Sequence, residues 1–364
     1  LHIGLRMVRP TYAEIDLGAI THNVTAFKNL IAPSRLCTVV KADAYGHGDV
    51  PVANAALDSG VEMIAVALVE EGARLREAGI EAPILLLSEP DPTAASDVAK
   101  WELTPTVYSM PFLQALADTH VNFDVHLKVN TGMHRVGCDP GDVDVLLGAL
   151  ERAPNLELAA LWTHFPVADE DAEYTNSQIE RFGEIARRYD PPATHLANTA
   201  GAVLFPDSRA SMCRVGLGTY GLHPCPETVG RIDLKPAMRL VTHVSHTQRL
   251  QAGERPSYGR VKSLSRDCTV VTAPVGYADG FARSLTHNGS ALIRGRRYPL
   301  AGMVTMDQIV IDVGDDEVDR GDEVVLLGAQ GSDEITANEW ADKLGTITYE
   351  VVCSIGPRVP RRYT

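Results

Sequence analysis

The chain has 364 residues, 45% hydrophobic and 22% charged, and a formal net charge of -14. That length exceeds one ordinary domain, the composition is that of a soluble globular protein, and the acidic balance argues against nucleic acid or an anionic membrane as partner. No apolar run approaches the roughly 18 residues of a membrane helix, and Leu1 to Pro10 lacks the apolar core of a signal peptide. The chain opens on Leu1, with Met7 a candidate native start. Six cysteines (Cys37, Cys138, Cys213, Cys225, Cys268 and Cys353) stand far apart without a C-x-x-C pair, which predicts reduced thiols in a cytoplasmic protein and no metal site.

From residue 36 to about 215, short apolar runs alternate with longer helical patterns. The runs are Leu36–Lys41, Val61–Ala67, Pro83–Ser88, Leu103–Val107, Phe123–Val129, Leu156–Trp162, Thr194–Leu196 and Met212–Val215. Helical periodicity fills gaps between them at Val50–Ser59, Val69–Ala78, Met110–Thr119, Asp142–Arg152 and Asp169–Tyr189. Parallel strands need crossovers, and strands buried on both faces read as continuous apolar runs. Eight such strands predict an α/β fold with an N-terminal (β/α)8 TIM-type barrel over residues 10–232, an open doubly wound sheet being the alternative.

The character changes near residue 233. Pro224, Pro226 and Gly230 break any helix before it, and closely spaced strand patterns with glycine turns follow. Residues 233–364 therefore read as a mainly β domain, joined by N-terminal residues 1–15. Only Ala337–Leu344 reads there as a helix.

Candidate chemical groups stand one after another at the ends of the barrel strands, where such barrels carry their sites. Lys41, in Val39-Val40-Lys41-Ala42-Asp43-Ala44-Tyr45-Gly46-His47-Gly48, sits before a tight turn and can form a Schiff base if its surroundings lower its pKa. Lys128 and Arg135 bracket a glycine turn, His164 follows Leu156–Trp162, Asn198 and Thr199 follow Thr194–Leu196, and Arg214 leads into Gly216-Leu217-Gly218-Thr219-Tyr220-Gly221. This last run matches G-x-G-x-x-G, but the following His223-Pro224-Cys225-Pro226 stands where a dinucleotide fold needs a helix. A single phosphate on backbone amides fits better, with the hydroxyls of Tyr45 and Thr199 completing the cup.

The Lys41 decapeptide, the run Arg214 to Gly221 and Pro274-Val275-Gly276-Tyr277-Ala278-Asp279-Gly280 together resemble the alanine racemase family over nearly the whole chain. That resemblance implies pyridoxal 5'-phosphate as cofactor, anchored on Lys41 and bound by Tyr45, His164, Asn198, Thr199, Arg214, Gly216 and Leu217. It implies interconversion of L- and D-alanine with two proton carriers, Lys41 on one face and Tyr277 on the other. It also implies a homodimer with shared active sites, where Tyr277 reaches the partner's barrel and Arg135 and the Met306 amide of Thr305-Met306-Asp307-Gln308 hold the substrate, Asp307 supporting that segment. An arginine facing the pyridine nitrogen offers only donors, so the nitrogen stays unprotonated and the ring is a weaker electron sink. Lys128, close to other cations, is expected to be carbamylated.

Pro357 stands where many family members carry a tyrosine, and Thr199 where serine is common. A same-fold racemase for serine or a larger amino acid is the nearest rival. A related decarboxylase fits less well because it needs no second proton carrier. A non-catalytic pyridoxal phosphate-binding barrel protein would explain Lys41 and the phosphate cup but not the Tyr277 and Met306 motifs.

Overall fold

The computed structural model describes residues 9–364, so Met7 and the rest of the first eight residues lie outside the described residues. It divides into two compact units, Leu17–Lys235 and Pro236–Thr364, the latter joined by the N-terminal segment through Asp16.

The segment ahead of the first unit contributes β1 (Tyr12–Ile15). The first unit then carries β2 (Arg35–Val39), β3 (Met63–Val66), β4 (Ile84–Leu86), β5 (Thr106–Val107), β6 (Phe123–Lys128), β7 (Leu156–Trp162), β8 (Thr194–His195) and β9 (Met212–Val215). All neighbouring pairs are parallel, and β9 pairs with β2. Two seams lack a regular ladder but are joined by backbone hydrogen bonds. Leu86 N donates to Thr104 O between β4 and β5, while Ser211 N donates to Thr194 O and Arg214 N to Ala197 O between β8 and β9. The eight strands thus form the predicted barrel.

Strand period two sets which side chains turn inward. Across the parallel pairs, Cys37 stands level with Arg214, Thr106 with His126, Lys128 with Trp162, and Trp162 with His195. One long helix, Leu17–Ile31, has no counterpart among the sequence expectations, although its buried Ala19, Ile20, Asn23, Val24, Phe27 and Ile31 keep a helical period.

The second unit is mainly β, with β10 (Met238–His243), β11 (His246–Leu250), β12 (Cys268–Ala273), β13 (Ser290–Ile293), β14 (Arg296–Pro299), β15 (Ile309–Gly314), β16 (Glu323–Gln330), β17 (Asp333–Ile335) and β18 (Arg361–Tyr363). One sheet runs β14-β13-β16-β10-β1-β18 with β17 on β16, and another runs β11-β12-β15. β1 lies antiparallel to β10 and parallel to β18, so the N-terminal segment is a strand inside this sheet. The expectation of a single helix here is corrected. Thr348–Cys353 is helical as well as Ala337–Leu344, and it is too short for periodicity to register. No helix among the described residues is long and apolar enough to cross a membrane.

Candidate active site

β2 stops at Val39, and Lys41 opens the segment that follows instead of ending the strand. Ala42, Asp43, Ala44 and Tyr45 all have φ between 51° and 54°, a left-handed turn without glycine. Such backbone costs about 1–2 kcal/mol per residue, so its surroundings must hold it. Ala42 N donates to Glu71 Oε1 at 2.7 Å, and Asp49 N donates to Asp43 Oδ1 at 3.0 Å. His47 Nδ1 faces the carbonyls of Ala44 and Tyr45 at 3.1 Å each, and carbonyls only accept, so this nitrogen carries the proton. The turn leaves Lys41 half-buried and sends Tyr45 inward against Tyr220, with ring centroids 4.8 Å apart.

The glycine run forms a cradle that side chains would fill. A Cβ at Gly216 would lie 2.5 Å from Tyr45 Oη, and one at Gly218 would lie 2.3 Å from Phe27 Cε2. The amides of Gly216 and Gly218 turn toward Thr199 Oγ1, at 3.2 and 3.4 Å, and Leu217 is buried between them. Behind the run, Asn23 Nδ2 donates to Thr219 O at 3.1 Å, so the helix Leu17–Ile31 backs the cradle. Asn198 caps the short helix Thr199–Leu204 by accepting from Gly201 N at 2.9 Å. Close backbone, amides and hydroxyls fit a phosphate.

Arg214 is 2% exposed and donates to five acceptors: His195 Nδ1 at 2.7 Å, His164 Nδ1 at 3.2 Å, and the carbonyls of Thr163, His195 and Leu196. Its guanidinium lies 4.5 Å from the centre of the Trp162 ring, and Lys128 Nζ lies 4.1 Å from the same ring. No carboxylate pairs with Arg214 or Lys128 among the described residues, and the aromatic face carries part of that burden. Burial lowers Arg214 to about 10. Lys128 falls to about 7 through burial, reinforced by Arg214, Arg135 and Lys41. His164 sits well below its ordinary value, through burial and the same cations, and is therefore neutral at physiological pH. These mutual influences place Lys41, Lys128, Arg135, His164 and Arg214 together at one barrel mouth, with Arg135 solvent-exposed.

The Tyr277 and Met306 segments belong to the other unit. Tyr277 N donates to Thr305 O at 3.0 Å and Ala278 N to Met306 O at 3.1 Å. A Cβ at Gly276 would meet Thr305 O at 2.2 Å, so only glycine allows this approach. Buried Asp279 accepts from Gly276 N and pairs with Arg9 at 2.8 Å, while Arg358 Nη2 donates to Asp307 Oδ1 at 2.6 Å. The backbone is fixed, yet the Tyr277 and Met306 side chains are 42% and 51% exposed. They line an open depression of about 960 Å³ with Tyr258, Arg283 and Asp307.

Residues 15–224 match the model of the alanine racemase N-terminal domain, and residues 237–363 match that of the alanine racemase C-terminal domain. The chain belongs to the alanine racemase family. The alanine racemase of Symbiobacterium thermophilum is 44% identical over 98% of this chain and 97% of its own. A crystal structure of alanine racemase from E. faecalis superposes with a TM-score of 0.94 at 36% identity, covering 98% of this chain and 99% of that one. A histidine racemase from Leuconostoc mesenteroides shares the fold at 26% identity and a TM-score of 0.91, covering 99% of both chains. The chain is thus a pyridoxal phosphate-dependent isomerase of the alanine racemase type. The motifs did not point to Asn23, Phe27, Glu71 or His195. Of these, Asn23 and Phe27 lay in the helical period of Leu17–Ile31 and His195 was a polar residue on a buried strand, whereas Glu71 carried no signal.

Proposed function

We propose that this racemase moves protons with two carriers, Lys41 on one face of the substrate Cα and Tyr277 of a second copy on the opposite face. The observation that carries the reading is the gathering of Lys41, Lys128, Arg135 and Arg214 around neutral His164, with no carboxylate paired to Arg214 or Lys128 among the described residues, at the mouth that also holds the glycine cradle. Pyridoxal phosphate, when bound, would supply an electron sink for the pair left at Cα. The amides of Gly216 and Leu217 and the hydroxyls of Tyr45 and Thr199 would hold its phosphate. Asn198 shapes the cup by capping the adjacent helix, and Arg214 would serve the ring nitrogen. Lys41 Nζ would be the covalent anchor and the first proton carrier.

His164 has a defined polarity. Arg214 can only donate, so His164 Nδ1 accepts and the proton of the neutral ring sits on Nε2. That N–H is a donor for the Tyr277 oxygen of a second copy. Arg135 and the Met306 amide hold the substrate carboxylate, and Asp307 steadies the Met306 segment through Arg358. Lys128, near pH 7 partly a free amine, adds carbon dioxide to become a carbamate that orients Arg135. The homodimer with shared sites is supported by exposed side chains on a rigid backbone at Tyr277 and Met306. Six free cysteines support a cytoplasmic enzyme, and its D-alanine would supply peptidoglycan precursors.

A racemase for serine or a larger amino acid is the second reading, favoured by Pro357 in place of a tyrosine and by the histidine racemase of the same fold. A panel of L-amino acids incubated with protein and cofactor, resolved by chiral chromatography, separates the two. Alanine turning over fastest supports the first reading, and a larger side chain turning over fastest replaces it with the second.

A further inference from the structure

Behind Arg214 the barrel interior holds two more imidazoles. His195 Nε2 and His126 Nδ1 lie 3.0 Å apart, and both rings are buried. The indole of Trp162 stacks on His195 with an interplanar angle of 14°. Beyond them, at the N-terminal end of the strands, a cavity of about 380 Å³ is lined by both histidines and by Arg35, Thr104 and Asp124. Thr106 stands level with His126 on the next strand, and its buried hydroxyl has no partner among the described residues.

The direction of this chain follows from its first member. A guanidinium has only donors, so His195 Nδ1 accepts from Arg214. A neutral His195 then carries its proton on Nε2, where it can only donate to His126 Nδ1. A neutral His126 in turn carries its proton on Nε2, away from His195. Every N–H therefore points away from Arg214 and toward the far mouth. Reversing any link would turn the His195 Nδ1–H against an Arg214 N–H, donor against donor.

We infer that His126 is a positioning residue: by accepting at Nδ1 it anchors the Nε2–H that Arg214 imposes on His195, holding that ring in place, and so fixes the guanidinium edge that Arg214 presents at the opposite mouth. This rests on the proposed placement of Arg214 against the cofactor ring, but the tautomer chain is a property of the protein alone. Both imidazoles stay neutral at physiological pH. Burial and the Arg214 charge bring His126 to about 4 and hold His195 well below its ordinary value. The charged groups facing His126 are Arg214 on β9 and Arg35 on β2, with Asp124 on its own strand and Arg76, Glu81 and Glu102 around the cavity. Arg35 and Arg214 oppose protonation of His126, so this contact persists until acid overcomes them. Protonated His126 would donate from Nδ1, forcing His195 to accept at Nε2 and releasing Arg214 Nη1.

Ring-15N histidine NMR of the holoenzyme tests the contact directly, beside two variants. In H126N the amide oxygen replaces the Nδ1 acceptor, and in H126L no acceptor remains. The parent is expected to show neutral Nε2–H patterns for His126 and His195 at about pH 6 to 8. H126L leaves the His195 Nε2–H without its acceptor and should show a shifted His195 Nε2 signal and a displaced pH profile of the bound cofactor's visible absorbance, with kcat about tenfold lower and KM within about twofold. H126N should restore all three readings. A parent spectrum with Nδ1–H or charged His195 overturns the inference, as does H126L with a parental spectrum and pH profile, or equal losses in both variants. Should H126L fail to fold, the parent spectrum and H126N still decide. Failure to racemise alanine would leave the imidazole spectra unchanged and would count only against the proposed function.

Discussion

The barrel mouth and the Tyr277 segment carry the two halves of the proposed chemistry in opposite ways. At the mouth, the decisive groups are buried and their electrostatics are internal. Arg214 and Lys128 are held by imidazoles, carbonyls and the Trp162 face, and each cation shifts its neighbours. In the β unit the backbone is equally constrained, by Gly276 against Thr305 O and by buried Asp279 with Arg9, yet Tyr277 and Met306 point their side chains into an open depression. A cation cluster without carboxylates is preorganised to receive an anion. An ordered backbone displaying an exposed phenol and thioether is preorganised to meet another surface. The difference teaches that one unit invests its order in burying charge, and the other in displaying side chains on a fixed backbone.

The largest expected effect is that of K41A, which removes the anchor and one carrier together. Turnover should fall more than about 10⁴-fold, and the visible absorbance of bound cofactor should vanish. Retained absorbance on a native protein would move the anchor elsewhere. Y277F should lose about 10²- to 10⁴-fold in kcat while keeping cofactor, because only one carrier is lost. Mixing the two dead variants sharpens the comparison. If Tyr277 acts in a partner's barrel, random reassortment leaves half of the dimers mixed, each with one intact site, and recovers about a quarter of parental activity. No recovery after verified subunit exchange would place Tyr277 and Lys41 of the same copy together. G216A should weaken cofactor binding about tenfold, since the new Cβ must displace Tyr45 Oη from 2.5 Å, while thermal stability stays near parental. An unchanged dissociation constant would remove Gly216 and Tyr45 from the phosphate cup.

The barrel was legible because parallel strands buried on both faces must be apolar, and strand ends are where such barrels place reactive groups. The left-handed turn after Lys41 was not legible. Residues 42–45 contain no glycine, and their conformation is held by Glu71 and Asp49 from the helices that follow, by His47 just after the turn and by Asp43 within it. The helix Leu17–Ile31 was readable from its period and was overlooked, and with it the support that Asn23 and Phe27 give the cradle. His126 and Lys128 occupy alternate positions of β6, a polar inner face on a strand otherwise suited to a core, which is a signal that period two supplies. Their partners came only with the closed barrel, because the contact between His126 and His195 spans 69 residues.

Lys128 offers the smallest effect and the clearest sign. Burial and neighbouring cations bring its ammonium from 10.5 to about 7. Between those values the unfolded chain binds the proton and the folded chain does not, so stability rises as pH increases through that window. Below about pH 7 both states are protonated, and the cost of the buried charge is constant. K128M removes the titration, so in buffer freed of carbon dioxide the parent's Tm should gain on the variant's by about 2–4 °C as pH rises from neutrality. Carbamylation goes further, because the amine nitrogen bonds the carbon of carbon dioxide and releases a proton, replacing a cation with an anion beside Arg135 and Arg214. With bicarbonate, native mass should increase by one carbon dioxide. Because the folded carbamate also binds fewer protons than the unfolded ammonium, the gain over K128M with pH should persist, and the parent's Tm should rise further while that of K128M does not. An unmodified mass together with a parental Tm unmoved by bicarbonate would show that Lys128 stays an amine, and that the barrel mouth tolerates its cations on hydrogen bonds and the Trp162 ring alone.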